Sequence, residues 1–588
     1  MSKFKKISSL VLAALIVFST AGCSTNHEEE QKEFDAFIEK EFVEAMESDY
    51  TTMHVYLEQP EKYGVDKTKV EVNLGTRVDE ESQKEALENA KKSWDAFEKF
   101  KRSHLTDEQQ KIYDTYAYQE EIDKALNDEK FDYYQQLFGS MTGIHYQLPT
   151  LFSDWTLRDE QDVKDLILLV KDVKPYMDSI IQYTRTQVEK GLLMTDTEDV
   201  KEYCDNIIKA GENSSILTSM NTSIDALKLD DQKTSQYKKE LKDAFTSSFL
   251  PAYKEISELM KDVKKANNNE GYAKFENGKE YYALLLKASI GSDKSVEDVK
   301  KMMSSDFDEQ LDNMRKLMMK NSKVLEAVMG DLPTTSFKSY KEILDYIRPK
   351  LADDFPEVKD LDYEIEPINE EIASSSGVAA YFNIPPLDGT TPKQLRVNPK
   401  TGDVNTINNY YTVAHEGFPG HMFQYAYMYE SSLPNWCKTM ASSSAYTEGW
   451  AVYSQYYAFK YLKDIDQDVL EMIKLNELAS YSAVIVADIG IHYEGWDFKQ
   501  FSDYFNSMGL TADEDGMKKQ YAQLQANPAA FEPYYVGYKE FSTIKEKTQE
   551  KLGDKFKDKD FHEALLKSGS APFSVVQSNV DEYIKNAK

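Results

Sequence analysis

Hydrophobic residues recur along most of the chain at the spacing of an amphipathic helix. The pattern is clear over 34–43, where apolar residues fall three or four positions apart. The same periodicity predicts helices over 80–101, 106–126 and 159–189, and an almost continuous helical region over 197–260. The 24 glycines and 17 prolines are few for this length, which favours long helices with short connections. We therefore expect a mainly α-helical protein.

One segment, 377–405, departs from the helical pattern. It contains the apolar run 379–382 and the alternating run 395–398 (LRVN), with a turn signal at Asp388-Gly389 between them. Apolar runs separated by turn residues are typical of strands. We expect a small β element here, beside a central cleft whose edge could hold an extended substrate.

Length and charge limit the classes of protein that fit. A chain of 588 residues is too long for one small core, and suits a single large body or two lobes around a cleft. The formal net charge of −32 opposes contact with nucleic-acid phosphates, which would require a basic face. We expect no nucleic-acid partner, and interpret the charge as an acidic surface that keeps a large protein soluble.

The first 22 residues are typical of a bacterial lipoprotein signal peptide. Three lysines within the first six positions precede a short apolar run over 10–18, and small residues then lead to Cys23. The run is shorter than the roughly 20 residues that cross a bilayer, and 19–23 resembles a lipobox, whose cysteine carries the lipid. An ordinary secretory signal cut nearby is the alternative. We expect an extracytoplasmic protein attached to the cell membrane through lipidated Cys23.

Processing would leave a short tether and one catalytic region. Residues 23–31 are polar and acidic, as in a flexible tether, and 32–588 would form the helical catalytic region. The remaining cysteines, Cys204 and Cys437, give no indication of a disulfide. We expect two buried thiols.

The candidate chemistry is concentrated in the run 410–424, YYTVAHEGFPGHMFQ. It places His415, Glu416 and His421 within seven residues, and Glu448 follows 448 − 421 = 27 positions later. Two imidazoles and two carboxylates are the parts of a hydrolytic zinc site. Surface histidines and helix carboxylates are the alternative, but the apolar flanking residues indicate a buried setting, where unpaired polar groups are costly.

The spacing of the two histidines requires a break in the helix. Six residues of a regular helix turn through about 600°, or about 240° net, so His415 and His421 would point in different directions. Pro419 has no N–H to donate to the carbonyl of His415, and Gly420 tolerates unusual dihedral angles. A bulge at this step would return His421 to the side that faces a metal.

These residues define an expected mechanism. His415, His421 and Glu448 would hold Zn²⁺ and leave one coordination position for water. Glu416, which follows the first histidine directly, would accept a proton from that water as a general base. Attack of water on a polarised carbonyl would follow, and Glu416 would pass the proton to the leaving amine.

Three runs in this order resemble the bacterial family called domain of unknown function 885. They are HEGFPGH at 415–421, EGWAVY at 448–453 and DIGIHYEGW at 488–496, and further similar stretches lie at 143–152, 158–163 and 560–566. The family is thought to be related to helical zinc peptidases with a glutamate ligand. The resemblance therefore implies a helical zinc-peptidase-like body with a cleft, a peptide substrate, and the four site residues in the roles given above.

One position departs from the family pattern, which often has a second histidine after the Pro-Gly-His step. Met422 stands at that position. If that histidine were the essential ligand, this chain would have lost its metal. The place of His421 directly after the break favours His421 as the ligand.

Three further residues are candidates for the site. Asp488 and His492 are four positions apart and therefore share a helix face. They could support the metal ligands or stabilise the transition-state oxyanion, or they could be a hydrogen-bonded core pair. Tyr538 resembles a tyrosine that helical zinc peptidases place against the oxyanion. We expect Asp488 behind the metal ligands, and His492 and Tyr538 in catalysis.

The sequence thus predicts an extracytoplasmic, lipid-anchored zinc hydrolase that acts on peptides. A lipid-anchored peptide- or solute-binding protein with a degenerate metal site is the alternative from a different class. The sequence does not distinguish peptides from other amides or esters, and it gives no oligomeric state.

Overall fold

A computed structural model of the protein describes residues 27–141, 143–330, 332–375, 378–389, 392–510 and 513–587. The predicted signal peptide 1–22 and Cys23 lie outside these residues. The first helix begins at Glu28, so the last four residues of the predicted tether 23–31 are helical instead.

The α-helices of the described residues are numbered along the chain. They are α1 Glu28–Ser48, α2 Tyr50–Tyr56, α3 Glu80–Phe97, α4 Asp107–Leu126, α5 Ile144–Ser153, α6 Glu160–Lys190, α7 Thr197–Ala210, α8 Ser215–Ala226, α9 Asp231–Ala244, α10 Leu250–Val263, α11 Gly278–Ile290, α12 Val296–Lys320, α13 Ser322–Met329, α14 Tyr340–Ile347, α15 Leu351–Asp354, α16 Glu370–Ser375, α17 Ile407–Glu416, α18 His421–Glu430, α19 Asn435–Thr439, α20 Ser444–Tyr457, α21 Gln467–Ile489, α22 Phe498–Ser507, α23 Glu514–Ala526, α24 Glu532–Leu552, α25 Asp558–Leu566 and α26 Phe573–Ala587. Two π-helical segments, Phe245–Phe249 and Gly490–Glu494, follow α9 and α21 directly.

The prediction of a mainly α-helical protein is confirmed, with 71% of the structure helical. Helices α4 and α6 begin and end within one residue of the predicted bounds, whereas α3 ends at Phe97, four residues before the predicted end. A capping box explains the start of α4, because the side chains of Thr106 and Gln109 each bond the other residue's backbone N–H. None of the helices in the described part of the chain combines the length and apolar character needed to cross a bilayer.

Two strands of a three-stranded sheet lie in the segment 377–405, where the sequence predicts a β element, and the third precedes it. Its strands are β1 Tyr363–Pro367, β2 Ala380–Asn383 and β3 Lys393–Val397, in the order β1-β3-β2. Strand β1 runs parallel to β3, and β2 runs antiparallel to it with Phe382 opposite Leu395. Strand β2 is therefore an edge strand, with one edge unpaired by any described strand.

Two large clusters of buried side chains form most of the core. One draws on residues 34–263 together with Trp436 and its neighbours, and the other draws on 131–584 and includes α17, α20 and α24. Cys204 and Cys437 lie in the first cluster as free, buried thiols, which confirms the predicted pair. A division into two lobes stays a prediction.

The crossing of α20 and α24 depends on two glycines. A Cβ atom on Gly449 would lie 2.3 Å from the carbonyl carbon of Gly537, closer than real contacts allow. Two backbones can approach this closely only where neither residue has a side chain. The crossing places the first turns of α24 beside Glu448, the neighbour of Gly449.

Candidate metal centre

A break between α17 and α18 brings the two histidines together. Helix α17 ends at Glu416, and α18 begins at His421. The intervening turn is closed by the N–H of Gly420, which donates to the carbonyl of Ala414 at 2.9 Å. A Cβ on Gly420 would lie 1.7 Å from the carbonyl oxygen of His415, so only glycine fits. The predicted break is confirmed, although it ends one helix and starts another instead of forming a bulge.

Three side chains converge on one point. Oε2 of Glu448 lies 3.4 Å from Nε2 of His415 and 3.5 Å from Nε2 of His421. These separations exceed the roughly 2.7–3.2 Å of a hydrogen bond. They match the edge of a tetrahedron around zinc, which is about 3.3–3.4 Å for metal–ligand distances of about 2.0–2.1 Å. The candidate ligand atoms of all three residues lie within 4.8 Å of one another.

The carboxylate at this point has an unsatisfied oxygen. Oε2 of Glu448 is buried and accepts no hydrogen bond from the described residues, and His421 is only 8% exposed. A buried acceptor without a donor costs about 1–3 kcal/mol. A cation between the carboxylate and the imidazoles would remove that cost. Two imidazoles and one carboxylate are a donor set that zinc accepts, so these residues fit the predicted ion.

Gln455 fixes the orientation of the first histidine. Its Oε1 accepts a hydrogen bond of 2.8 Å from Nδ1 of His415. The proton on Nδ1 is thereby fixed, so that Nε2 is the ring nitrogen that faces Glu448 and would ligate a metal once it is deprotonated. Sequence reasoning missed this residue. The signal was present, because Gln455 lies seven positions after Glu448 and seven residues return to within about 20° of the same helix face.

The charges of the site shift its pKa values in opposite directions. Burial lowers the pKa of His415, but contact with the Glu448 carboxylate and the charge of Glu416 outweigh it and raise the pKa to about 9. Burial raises the pKa of Glu448, but the charge of His421 and the contacts with both imidazoles outweigh it and hold the pKa well below its usual range. The metal-free site therefore stabilises positive charge at the point where the ligands meet.

Glu416 lies beside the three converging residues and also contacts the sheet. Its Oε1 is 3.9 Å from Nε2 of His415, and its Oε2 accepts a hydrogen bond of 2.9 Å from the backbone N–H of Phe382 in β2. The free edge of β2 therefore faces α17. An extended substrate along that edge would meet the Glu416 carboxylate.

The tyrosine against the site is Tyr534, one helical turn before the predicted Tyr538. The ring of Tyr534 stacks on His415 with a centroid distance of 6.4 Å. Burial, followed by the charges of Glu448 and Glu416, raises its pKa. Tyr538 instead contacts the rings of Tyr456 and Tyr535, each at 5.9 Å. Tyr534 and Tyr538 are four residues apart and share a helix face, and the catalytic role predicted for Tyr538 stays a prediction.

Asp488 and His492 are buried in a network of their own. Asp488 accepts hydrogen bonds from the hydroxyl of Tyr282 at 2.7 Å and the N–H of Ala529 at 3.1 Å. Nδ1 of His492 accepts from the N–H of Tyr272, so Nε2 donates to the carbonyl of Leu524. Both ring nitrogens of His492 are thus occupied.

None of the described contacts of Asp488 and His492 joins the three converging residues. The arrangement is the hydrogen-bonded core pair that the sequence left open as the alternative. The predicted roles of Asp488 behind the ligands and of His492 in catalysis gain no support from it.

The side chain of Met422 points away from the converging ligands. It is fully buried in the larger hydrophobic cluster, whereas its neighbour His421 meets Glu448. A histidine at 422 would enter that apolar cluster. The departure from the family pattern therefore leaves the three converging side chains in place.

Two solved structures have a similar fold. A "putative lipoprotein" from Colwellia psychrerythraea aligns over 95% of this chain and 99% of its own, with a TM-score of 0.79 and 18% identity. A "putative lipoprotein of unknown function" from Shewanella oneidensis aligns over 94% of this chain and 99% of its own, with a TM-score of 0.61 and 15% identity. At these identities the similarity concerns the fold alone.

The remaining comparisons with known proteins identify the family of this chain but no activity. A carboxypeptidase from Pyrococcus furiosus aligns over 96% of this chain and 99% of its own, but its TM-score of 0.35 and 10% identity are too low to inform either fold or chemistry. No curated protein matches the sequence. Residues 61–580 match the model of one bacterial family, and so the chain belongs to DUF885, the bacterial proteins of unknown function.

Proposed function

We propose that this protein is a lipid-anchored, extracytoplasmic zinc hydrolase that cleaves peptides. The observation that carries the proposal is the convergence of His415 and His421 on the buried, unsatisfied Oε2 of Glu448. A carboxylate that is not part of this group, Glu416, stands next to it. Three ligands with an adjacent free carboxylate are the arrangement of a catalytic zinc site, which keeps one position open.

Each residue has a defined task in this proposal. His415, His421 and Glu448 would hold the ion, and Gln455 would keep His415 in the tautomer that ligates through Nε2. The bound zinc would supply a Lewis acid that polarises the scissile carbonyl and acidifies water. Glu416 would take the proton from the attacking water and deliver it to the leaving nitrogen.

Tyr534 would stabilise the negative charge that develops on the substrate carbonyl oxygen. Its hydroxyl remains protonated at neutral pH because burial and the nearby carboxylates raise its pKa. A neutral hydroxyl beside the site can donate a hydrogen bond to the oxyanion that develops on the substrate carbonyl. This is the role that the sequence assigned to Tyr538.

The unpaired edge of β2 favours peptides over small esters. Main-chain groups on a strand edge bind an extended peptide as an additional strand, and the N–H of Phe382 already reaches the Glu416 carboxylate. The anchor is supported by the N-terminal sequence and by the names of the two structural relatives.

The test is a metal and activity measurement on the full chain. We expect about one zinc per chain by elemental analysis, and hydrolysis of a peptide mixture, followed by mass spectrometry, that a chelator abolishes. Glu416→Gln should keep the zinc and lose turnover, whereas Glu39→Gln, at an exposed position of α1, should change neither. Absence of stoichiometric zinc, or turnover by Glu416→Gln, would end the proposal. Peptide binding without zinc would instead identify the binding-protein alternative.

A further inference from the structure

A cavity of about 730 Å³ lies beside β2, the strand that contacts Glu416. One wall is formed by β2 and the loop after it, and the opposite wall by α2, α5 and the residues after α5. Its volume falls within the range of about 300–1,000 Å³ typical of ligand sites. Phe382 lines this cavity, and its N–H bonds the Glu416 carboxylate. A peptide along β2 would therefore pass from the site into the cavity.

The charged side chains on the cavity wall differ in whether other groups of the protein pair with them. Asp154 forms an ion pair of 3.1 Å with Arg396 and accepts a hydrogen bond from the hydroxyl of Tyr381. The Asp49 carboxylate caps α2, where it accepts from the N–H of Thr52. Both acidic groups of the wall are thus engaged by the protein itself.

Arg158 is the cation of the wall without a carboxylate partner. Its guanidinium donates to the carbonyl of His54 at 2.8 Å and lies 3.3 Å from the His54 ring. Among the described residues, no carboxylate oxygen comes within 4.0 Å of it. Asp162 lies behind it, where its carboxylate accepts from the backbone N–H of Arg158.

His54 neither adds positive charge to the cavity wall nor neutralises the charge of Arg158. Its ring stacks on Trp155 with a centroid distance of 4.2 Å, and Nε2 donates to the carbonyl of Thr156. Burial and the charge of Arg158 lower its pKa to about 3. The ring is therefore neutral at physiological pH, and the Arg158 guanidinium, with no carboxylate oxygen within 4.0 Å among the described residues, lies beside a cavity large enough for part of a peptide.

We infer that this cavity binds a carboxylate of the substrate, and that Arg158 is the residue that recognises it. The inference rests on the proposed function, since the cavity takes its substrate from β2. Arginine suits this task because its planar fork can bind both carboxylate oxygens. The carboxylate could be the C-terminus of a peptide or an acidic side chain. Arg158 would determine specificity and the position of the substrate, without contact with the reacting atoms.

Binding measurements on the full-length Glu416→Gln variant test this without turnover. Calorimetry would compare N-acetyl-trialanine with its C-terminal amide, and separately acetyl-Ala-Glu-Ala-amide with acetyl-Ala-Gln-Ala-amide. We expect the carboxylate to strengthen binding at least about tenfold in one of the two pairs. The first pair reports a C-terminal carboxylate and the second an acidic side chain. Equal binding within both pairs would overturn the inference.

Arg158 is then tested in the same background. Adding Arg158→Gln should abolish the preference for the carboxylate, and Arg158→Lys should keep part of it. Arg185→Gln, at an exposed position of α6, should leave the preference intact. A preference that survives in a folded Arg158→Gln protein would remove Arg158 from the role. If Arg158→Gln fails to fold, Arg158→Lys provides the test. An undiminished preference for the carboxylate ligand in Arg158→Lys would show that Arg158 does not recognise the carboxylate.

The two proposals can fail separately. Carboxylate discrimination by a protein that hydrolyses no peptide would sustain the cavity and remove the enzyme. Hydrolysis of peptides without any such discrimination would sustain the enzyme and remove the carboxylate site.

Discussion

Gly537 of α24 lies against Gly449 of α20, so that a Cβ on Gly537 would be 2.8 Å from the Cα of Gly449. Glu448 directly precedes one glycine, and Tyr534 lies three residues before the other. Gly537→Ala should therefore force the helices apart, with a loss of about 1–3 kcal/mol in the free energy of unfolding. The same displacement should weaken zinc binding.

Thermal unfolding and a competitive zinc titration would measure both effects of Gly537→Ala. Glu546→Ala on the exposed face of α24 is the matched control and should change neither. An unchanged melting temperature and zinc affinity in Gly537→Ala would contradict the importance of this helix contact.

Gln455 offers a test of how His415 is oriented. Gln455→Leu keeps the volume of the side chain but removes the acceptor for Nδ1, so the imidazole can rotate or change tautomer. We expect zinc affinity to fall about 10- to 100-fold, as is usual when a partner of a ligand is lost. Gln455→Glu retains the acceptor and should bind zinc more tightly than Gln455→Leu. Equal affinity in the two variants would remove Gln455 from this role.

Tyr534 and Tyr538 form a matched pair on one helix. Tyr534→Phe removes the hydroxyl proposed as oxyanion donor and should lower kcat about a hundredfold with little change in KM. Tyr538→Phe removes the hydroxyl of a ring that packs against Tyr456 and Tyr535, and should leave kcat within about twofold. Steady-state kinetics on a peptide substrate would compare them. A larger loss in Tyr538→Phe would restore the assignment made from the sequence.

This pair shows where sequence reasoning reaches its limit. Helix periodicity identifies the face of α24 that meets the site, but residues 534 and 538 share that face. The turn that meets His415 is set by the crossing at Gly537, which is a contact between segments far apart in the chain. By contrast, the convergence of His415 and His421 could be predicted, because the break depends on the local residues Pro419 and Gly420.

Strand β1 was missed for a related reason. Its sequence YEIEP contains two glutamates and ends in proline, and these residue types are uncommon in strands. It is held by parallel pairing with β3, about thirty positions later. The strands β2 and β3 carry apolar and aromatic residues of their own and could be predicted from local sequence.

The pKa of His415 predicts how zinc binding depends on pH. In the metal-free protein this pKa is raised to about 9, so zinc must displace a proton from Nε2 at neutral pH. The apparent affinity should rise about tenfold per pH unit up to pH about 9 and then level off with respect to this group. Zinc titrations between pH 6.5 and 9.5 would measure the slope. A flat profile over this range would contradict the raised pKa.

The same shift acts on the stability of the chelated protein. A histidine whose folded pKa lies above its unfolded value of about 6.5 stabilises the fold fully below pH 6.5, and this contribution is lost as pH rises towards 9. Chelator-treated protein should therefore melt at a lower temperature at pH 9 than at pH 6.5, and added zinc should reduce that difference. His415→Ala should lose this part of the pH dependence.

Glu532 at the start of α24 gives a pH effect opposite to that of an acid whose pKa is lowered by folding. Burial and the charge of Asp488 raise its pKa well above the usual range, so its carboxyl is neutral; its Oε1 lies 3.3 Å from the Tyr282 hydroxyl. The unfolded chain releases this proton near pH 4.5, and the folded protein keeps it. The contribution of Glu532 to the free energy of unfolding is therefore fully present below pH 4.5 and falls as pH rises towards the folded pKa.

Glu532→Gln is permanently neutral and close in shape to the protonated glutamate. Its melting temperature should exceed that of the wild type increasingly from pH 5 to 8 and match it near pH 4. Glu550→Gln, at an exposed position of the same helix, should show no such divergence. A wild-type protein that gains stability relative to Glu532→Gln as pH rises would show that Glu532 is ionised in the fold.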